Sequence, residues 1–447
     1  MDSDLGLEKI QEYYRNGKLD RSSTFELLVY ILENSNDDDI RIKSIEFFNQ
    51  IEFNESKKYE ILENLMVSDS SKYVRGTAAK IIIHNFLDKG IAPIAWAIRN
   101  DSSLDFLSTI IENLKKIDEN ALHLILLNKF KDIIKNKTNN ANNRYIKYYI
   151  KELKRLFKEK SFAWFRCKKL CDIFFNFMVI SHLIQKYAIS DTHFKYYLKD
   201  GLVVRLKING QNIKNIKEIN GLEKLTSLEI LDLSINQIKE IECIDNLINL
   251  KTLLLGNFSH NDGNEITEIK GLESLKKLEY LDLSFNGITK IKNLDNHTNL
   301  KFLSLRKNNI IEIKGLERLR KLEELHLGGN QIKEIKGLER LTKLKQLHLE
   351  GNQITEIKGL KTLTNLEFLD LDFNRIKEIK GFETLIKLTV LNLSRNQITE
   401  VKALENLKNI RLLYLDKNQI IEINGLDKLT KLDHLSLAFN PITEIKN

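Results

Sequence analysis

Two histidines and two glutamates lie close together in the pattern of the C-terminal half, and their side chains could bind a metal ion. His326 and His348 are 22 residues apart, with Glu324 two residues before the first and Glu350 two residues after the second. Imidazole and carboxylate groups together suit zinc and related cations. The same four residues also fit an ordinary polar patch. We expect the polar patch, and therefore no metal ligands.

Two cysteines are the other candidates for chemistry. Cys167 and Cys171 are four residues apart, which places both thiols on one face of a helix, and His182 follows. A zinc site needs four ligands at spacings that are absent here, so buried structural thiols are expected. The sequence contains no glycine-rich phosphate loop, no H-E-x-x-H motif and no G-x-S-x-G motif. We expect no enzyme activity, no catalytic residues and no cofactor.

A repeated unit positions the histidines. From Leu228 the pattern L-x-x-L-x-L-x-x-N-x-I-x-x-I recurs in steps of 22 residues, except for 28 residues between Leu250 and Leu278. A degenerate copy begins at Val203, so residues 203–447 hold about eleven coils. The alternating leucines have the period of a short strand with one buried face. Because one coil cannot bury its leucines alone, neighbouring coils must stack, and their strands form a parallel sheet.

The coil also contains recurrent asparagines and glycines. An inward-facing amide offers a donor and an acceptor to turn backbone that would otherwise be buried without partners. Glycine recurs two residues after the second isoleucine, where a turn that needs a positive φ is expected. The asparagines are Asn236, Asn264, Asn286, Asn308, Asn330, Asn352, Asn374, Asn396, Asn418 and Asn440.

The outward strand positions predict where a partner binds. Rigid, solvent-facing aromatic side chains provide contact area at a small entropic cost. They form two predicted clusters, Tyr280–Phe285–Phe302 and Phe368–Phe373–Leu412–Tyr414, separated by a polar middle. The predicted protein-binding residues are Tyr280, Asp282, Phe285, Phe302, His326, His348, Phe368, Asp370, Phe373, Leu412 and Tyr414. The alternative is that the aromatic side chains only shield one another.

The 22-residue unit resembles the leucine-rich-repeat class of the protein phosphatase 1 regulatory subunit and of bacterial internalins. The resemblance covers residues 203–447 and rests on the leucines, isoleucines and asparagines of the pattern. It implies a repeat solenoid of α/β type that is curved and has a parallel β-sheet on its concave face. It also implies a protein partner on that face, whose identity the repeats do not give.

The N-terminal part has a different, helical pattern. Two segments at a spacing of 34 residues, Asp39–Ile45 and Tyr73–Ala79, resemble HEAT-type repeats, so residues 1–135 are predicted to form an all-α array. The asparagine-rich stretch 136–143 is predicted to be a linker. The rest of residues 136–202 is predicted to form basic and aromatic helices that cap the solenoid.

The basic segment 144–169 has two interpretations. Tyr149, Leu153, Leu156 and Phe157 form an apolar stripe at helical spacing, and lysines and arginines occupy the other sides. The segment is either a solvated helix that packs against the first repeat, or a contact for nucleic acid or an anionic membrane surface.

Net charge, cysteine count and the N-terminal residues indicate in which compartment the protein functions. The net charge of +8 is small for 447 residues, and only three are cysteines, which fits a reducing compartment. The first residues lack the basic and apolar regions of a signal peptide, so we expect a cytoplasmic protein. We therefore predict an intracellular scaffold or regulatory subunit that binds a protein and no small-molecule substrate. The alternative is a nucleic-acid- or membrane-associated protein anchored by residues 144–169.

Overall fold

The computed structural model describes residues 6–140, 143–160, 164–188, 193–257 and 263–445 of the chain. The chain divides into two compact units, Met1–Ser181 and His182–Asn447. The segment 136–202, which we predicted as a linker and cap, contributes residues to both units.

Ten helices account for the regular structure described before residue 188, which confirms the predicted N-terminal helical array. None of the described helices is both long enough and apolar enough to cross a membrane. Helix α8 reaches Asn140, so it covers the first five positions of the predicted linker, and residues 141–142 lie outside the described part. The helices are α1 Leu7–Arg15, α2 Arg21–Asn34, α3 Asp38–Gln50, α4 Glu55–Ser68, α5 Lys72–Asn85, α6 Leu87–Asn100, α7 Leu104–Ile117, α8 Glu119–Asn140, α9 Arg144–Glu159 and α10 Cys167–Tyr187.

Arginine–aspartate pairs join successive helical repeats. Arg41 of α3 pairs with Asp69, which stands two residues before Ser71, the N-cap of α5. Arg75 of α5 pairs in the same way with Asp101 at 3.1 Å, two residues before the N-cap of α7. Both pairs are mostly buried. The 34-residue spacing seen in the sequence is therefore the spacing of the two arginines, and their aspartate partners are 32 residues apart.

A twelve-stranded sheet forms the second unit. Its order is β1 to β11 followed by β13; β1 and β2 are antiparallel, and each strand from β2 onward is parallel to the next. A separate two-stranded sheet pairs β12 with β14. The strands are β1 Phe194–Lys199, β2 Leu202–Ile208, β3 Ile230–Asp232, β4 Thr252–Leu254, β5 Tyr280–Asp282, β6 Phe302–Ser304, β7 Glu324–His326, β8 Gln346–His348, β9 Phe368–Asp370, β10 Val390–Asn392, β11 Leu412–Tyr414, β12 Glu422–Ile423, β13 His434–Ser436 and β14 Glu444–Ile445.

Strand β1 was not predicted, because the sequence analysis assigned helices up to residue 202. Phe194 and Tyr196 are buried and alternate with exposed lysine and tyrosine, as expected of a strand with one covered face. Its antiparallel pairing with β2 supplies hydrogen-bonding partners to the first repeat strand. The sheet therefore begins with a hairpin, which the 22-residue pattern does not contain.

The strands pair in strict register. Leu325 of β7 aligns with Leu347 of β8 and with Leu369 of β9, and all three side chains are fully buried. The parallel solenoid predicted from the repeats is thus confirmed; it has about ten turns, where the repeats predicted about eleven coils. Residues 258–262, within the 28-residue step between Leu250 and Leu278, lie outside the described residues.

The asparagines have the predicted structural role. Asn352 Oδ1 accepts the backbone N–H of Ile332 in the preceding coil at 3.0 Å. Its Nδ2 donates at 3.0 Å to the carbonyl oxygens of Leu327 and Leu349. Each amide therefore links two coils through backbone groups that have no other route to water.

The recurrent glycines have the predicted positive φ. Gly337 has φ +82°, and a Cβ there would overlap the carbonyl oxygen of Ile313 in the preceding coil. Asn293 and Ala403 occupy the same column, with φ of 62° and 59°. The turn therefore requires a left-handed residue at every coil, and the tightest coils also require the absence of a side chain.

Candidate protein-binding face

The solvent-facing side chains of β2 to β11 and β13, with the two residues after each strand, form what we call the strand face. Register places Tyr280, Phe302, Glu324, Gln346 and Phe368 in one row across neighbouring strands. A second row, two residues further along each strand, contains His326, His348 and Asp370.

Five rings form a continuous stack that we call the ring ladder: Tyr280, Phe302, His326, His348 and Phe368. Tyr280 stacks on Phe302 at 3.9 Å between ring centroids, and His326 stacks on His348 at 4.0 Å. Phe302 lies 5.0 Å from His326, and His348 lies 4.6 Å from Phe368. The ladder crosses from one row to the other and back, so it spans β5 to β9 without a gap.

This stack changes the predicted arrangement of two aromatic clusters. The histidines, which we placed in the polar middle, connect Tyr280 and Phe302 with Phe368. Phe302 is only 8% exposed, because its neighbours in the ladder cover it, so it does not point freely into solvent as predicted. The alternative, that the aromatic side chains shield one another from solvent, therefore describes Phe302. Tyr280 and Phe368 remain half-buried.

Phe285 and Phe373 lie outside the ladder. Both occupy the left-handed region, with φ of 53° and 54°, at the turn that follows the strand. Arg306 lies over the Phe285 ring and Arg395 lies over the Phe373 ring, each at 5.7 Å from the centroid. Such cation–π contacts fix the position of a ring that is otherwise open to solvent.

Leu412 and Tyr414 form a separate patch on β11. Val390 and Asn392 of β10 lie between them and the row that contains Phe368. Tyr414 contacts His434 of β13, at 5.3 Å between ring centroids. The structure therefore does not place Leu412 and Tyr414 in contact with the ring ladder.

Burial alters the charge of the strand face. It lowers the pKa of His326 to about 3, with His348 and Arg306 adding to the effect, and it also lowers the pKa of His348. The imidazoles in the ladder are therefore neutral at neutral pH. Burial raises the pKa of Tyr280 to about 12 and that of Asp370 to about 6.

Asp282 is the most deeply buried carboxylate of the predicted set. It is 1% exposed, and its Oδ1 accepts the backbone N–H of Ser284 at 2.9 Å. Burial raises the pKa of its carboxyl, and hydrogen bonds from Ser284 and Ser304 partly offset that rise. The ionised form of Asp282 therefore lies in a place that disfavours charge.

An arginine–glutamate bridge is a feature that sequence reasoning missed. Arg306 Nε donates to Glu350 Oε1 at 3.0 Å across the intervening coil. Gly328 stands between them, and a Cβ there would overlap the Glu350 carboxylate. The signal was present in the sequence, since 306, 328 and 350 occupy the same position of three successive coils and carry a cation, a glycine and an anion.

Two further groups are ordinary structural features. Cys167 and Cys171 are buried, with their Sγ atoms 3.9 Å apart, and burial raises the pKa of both thiols. Lysine–glutamate pairs such as Lys336–Glu334 are largely exposed on the flank, where such pairs contribute little stability.

Models of leucine-rich repeats match part of the second unit. The family described as Leucine Rich repeats (2 copies) matches residues 298–340, 320–362, 342–384, 364–406 and 386–428. The family described as Leucine Rich repeat matches residues 274–290. No curated protein matches the chain.

Solved structures with similar folds include bacterial repeat proteins. An internalin (InlF) from Listeria monocytogenes is 26% identical, with 56% of this chain and 91% of that chain covered and a TM-score of 0.38. Internalin C2 from the same species is 28% identical, with coverage of 45% and 82% and a TM-score of 0.39. A leucine-rich-repeat protein from Leptospira interrogans is 24% identical, with coverage of 54% and 73% and a TM-score of 0.41.

The family matches fall on coils that share one geometry. Each coil has a short parallel strand, an asparagine bonded to the preceding coil and a left-handed turn. The second unit of this chain is a leucine-rich-repeat solenoid.

Proposed function

We propose that this chain is an intracellular scaffold or regulatory subunit that binds a protein partner on its strand face. Leucine-rich-repeat folds are typical of protein–protein interaction modules and are generally not enzymes, which agrees with the sequence analysis. The observation that carries the proposal is the ring ladder, which presents aromatic edges from β5 to β9 on one sheet.

The ladder has the physical properties of an interface centre. Its rings are held by stacking on each other and by the strand backbone, so they lose little side-chain entropy when a partner binds. The imidazoles are neutral, so covering them does not bury a cation. Large, rigid aromatic side chains carry a large share of the binding energy in most interfaces.

The ends of the ladder allow a direct test. The double variant Tyr280→Ala with Phe368→Ala removes both half-buried ends and keeps Phe302 and the histidines. The matched control is Lys336→Ala with Lys358→Ala, which removes two exposed cations on the flank. Affinity purification from source-cell extract, quantified by mass spectrometry, compares both with the wild type.

We expect the ladder variant to capture at least tenfold less of the main partner than the wild type does, with an unchanged circular dichroism spectrum. The flank variant should capture as much as the wild type. If the ladder variant retains the partner and the flank variant loses it, the partner binds elsewhere and the strand-face proposal is wrong.

The alternative function has one observation in its favour. On α9 the exposed cations Arg144, Lys147, Lys151, Lys154 and Lys158 recur every three or four residues, so they follow one face of the helix. The opposite side is buried at Tyr149, Ile150, Leu153 and Leu156, which leaves no apolar stripe for insertion into a membrane. An anionic polymer such as nucleic acid fits this face better than a bilayer does.

Salt dependence separates the two functions. Binding of a fluorescent duplex DNA and of a single-stranded RNA is measured from 50 to 200 mM salt, with the variant Lys151→Ala, Lys154→Ala, Lys158→Ala as the control. Affinity that falls steeply with salt and is lost in the variant supports the alternative. Affinity that does not respond to the three substitutions rules it out.

A further inference from the structure

Three side chains at the centre of the strand face converge on one point. His348 ends β8, Glu350 follows that strand, and Asp370 ends the neighbouring β9. One ligand atom from each of the three lies within 4.8 Å of the others. The sequence groups His348 and Glu350 with His326 and Glu324 as a polar patch; the fold also brings Asp370 to His348 and Glu350.

Two atoms of this cluster are buried without a partner. His348 Nε2 and Glu350 Oε2 have almost no exposure to solvent and no hydrogen-bonding partner. Buried polar atoms in proteins are almost always paired, since an unpaired one costs about 1–3 kcal/mol. Polar side-chain atoms that converge on one point and have no hydrogen-bonding partner fit a cation-binding site.

The surrounding residues hold the cluster in place. His348 is fixed between the rings of His326 and Phe368 in the ladder. Arg306 binds Glu350 Oε1 and leaves Oε2 free. Asp370 Oδ1 accepts the backbone N–H of Asp372 at 2.9 Å. Partners of this kind, which orient ligand side chains, are a regular feature of metal sites.

Gly328 leaves room for the side chain of Glu350. A side chain at position 328 would occupy the space of the Glu350 carboxylate, and the space exists only because the coil has glycine there. The glutamate can therefore lie over the preceding strand, towards Arg306, rather than extend into solvent.

We propose that His348, Glu350 and Asp370 bind a divalent cation of the zinc class on the strand face. One imidazole and two carboxylates match the ligand preference of Zn²⁺, whereas Mg²⁺ and Ca²⁺ take oxygen ligands only. Bond lengths of about 2.0–2.2 Å place tetrahedral ligand atoms roughly 3.4 Å apart, so side-chain shifts of about 1 Å close the site. Three protein ligands leave a coordination position open to solvent or to a partner's side chain.

The test measures the ion directly and does not depend on the proposed function. Full-length protein is titrated with ZnCl₂ by calorimetry and with CoCl₂ by visible absorption, which reports low-symmetry nitrogen and oxygen coordination. We expect one tight cation per chain, and at least a tenfold loss of affinity in Glu350→Gln and in Asp370→Asn. His434→Ala, a histidine on the same face outside the cluster, is the matched control and should bind as the wild type does.

Gly328→Ala tests the positioning. It keeps all three ligand residues but displaces the Glu350 carboxylate, so affinity should fall although circular dichroism and melting are retained. An excess of MgCl₂ should not displace the bound cobalt. Wild-type affinity in Glu350→Gln and Asp370→Asn, or an equal loss in His434→Ala, would overturn the proposal, because the ion would then be bound elsewhere.

Discussion

Asn308 and Asn309 are adjacent in the sequence, but their environments differ. Asn308 is 5% exposed, accepts the N–H of Ile288 and donates to the carbonyl oxygens of Leu283 and Leu305. The side chain of Asn309 is exposed. The pair therefore separates the contribution of the buried amide from that of asparagine as a residue type.

Asn308→Leu should lower the free energy of unfolding by about 1–3 kcal/mol, because buried backbone groups lose their partner. Urea denaturation followed by circular dichroism measures the difference. Asn309→Leu should stay within about 0.5 kcal/mol of the wild type. Equal urea midpoints for the two variants would show that the amides do not stabilise the array.

A second residue-scale prediction concerns the buried carboxylate of Asp282. Because burial raises the pKa of this group in the folded protein, the ionised form lowers stability at neutral pH. Asp282→Asn keeps the side-chain oxygen that accepts the Ser284 N–H and removes the charge, so it should raise the melting temperature at pH 7.

The pH dependence has a definite sign. The wild type loses stability as pH rises from the unfolded pKa of about 4 through the raised folded pKa, and then stays level. The advantage of Asp282→Asn should therefore be full at neutral pH and disappear below about pH 4. A variant that melts below the wild type at pH 7 would mean that the charge itself is bound by a favourable contact.

At the scale of the element, the turn glycines differ in how closely the backbone of the preceding coil approaches them. Gly337 and Gly425 both have positive φ, of 82° and 74°. A Cβ at 337 would overlap the carbonyl oxygen of Ile313, whereas at 425 the nearest atom, the oxygen of Val401, is 3.9 Å away.

Gly425→Ala should cost about 1–2 kcal/mol for the left-handed conformation alone. Gly337→Ala should cost clearly more, because the carbonyl of the neighbouring coil must also move. Chemical denaturation of both variants measures the difference in the free energy of unfolding. Equal losses would mean that the close contact with the neighbouring coil adds nothing to the cost of the left-handed conformation.

The helical array allows a prediction from its buried ion pairs. The side chains of Arg41 and Asp69 are 12% and 5% exposed, whereas those of Arg21 and Glu52 are 61% and 80% exposed. Asp69→Ala removes the carboxylate closest to the mostly buried Arg41 guanidinium and should cost about 3–5 kcal/mol. Glu52→Ala should cost less than about 1 kcal/mol. Thermal unfolding of the two variants should rank them in that order; the reverse order would contradict a linking role for Asp69.

At the scale of the whole molecule, the solenoid should tolerate loss of a complete coil. Deletion of residues 344–365 joins Lys343 to Leu366, which occupies the position of Leu344 in the next coil. Each repeat strand pairs only with the strands of neighbouring coils, so the shortened array should fold with native-like circular dichroism. Deletion of 344–354, half a coil, places Thr355 and Lys358 at the buried positions of Leu344 and Leu347 and should unfold the array or lower its melting temperature markedly. Similar melting of both deletions would mean that register is not what holds the coils together.

The coil deletion also separates fold from function. It removes His348 and Glu350, so it should abolish the proposed cation site while the solenoid persists. It brings His326 and Phe368 onto neighbouring strands, so part of the ring ladder survives. Loss of the cation with partial retention of the partner is the expected combined outcome.

The 22-residue period, by itself, determined the solenoid. Leu325, Leu347 and Leu369 had to be stacked and buried because no single coil can cover them, and Asn352 had to bond backbone because an inward amide needs partners. The positive φ of Gly337 followed from the same repetition. These features are local or periodic, and periodic patterns are visible in a sequence.

Only the tertiary structure decided which outward side chains meet. A strand position gives the row of a residue but not the tilt of its ring, so the ladder through His326 and His348 could not be read from spacing. For Glu350 the sequence shows the shared position of Arg306, Gly328 and Glu350, but only the structure shows that the carboxylate lies over Gly328 and accepts from Arg306. Strand β1 was missed for a related reason, because its pairing with β2 depends on a neighbour and not on the repeat.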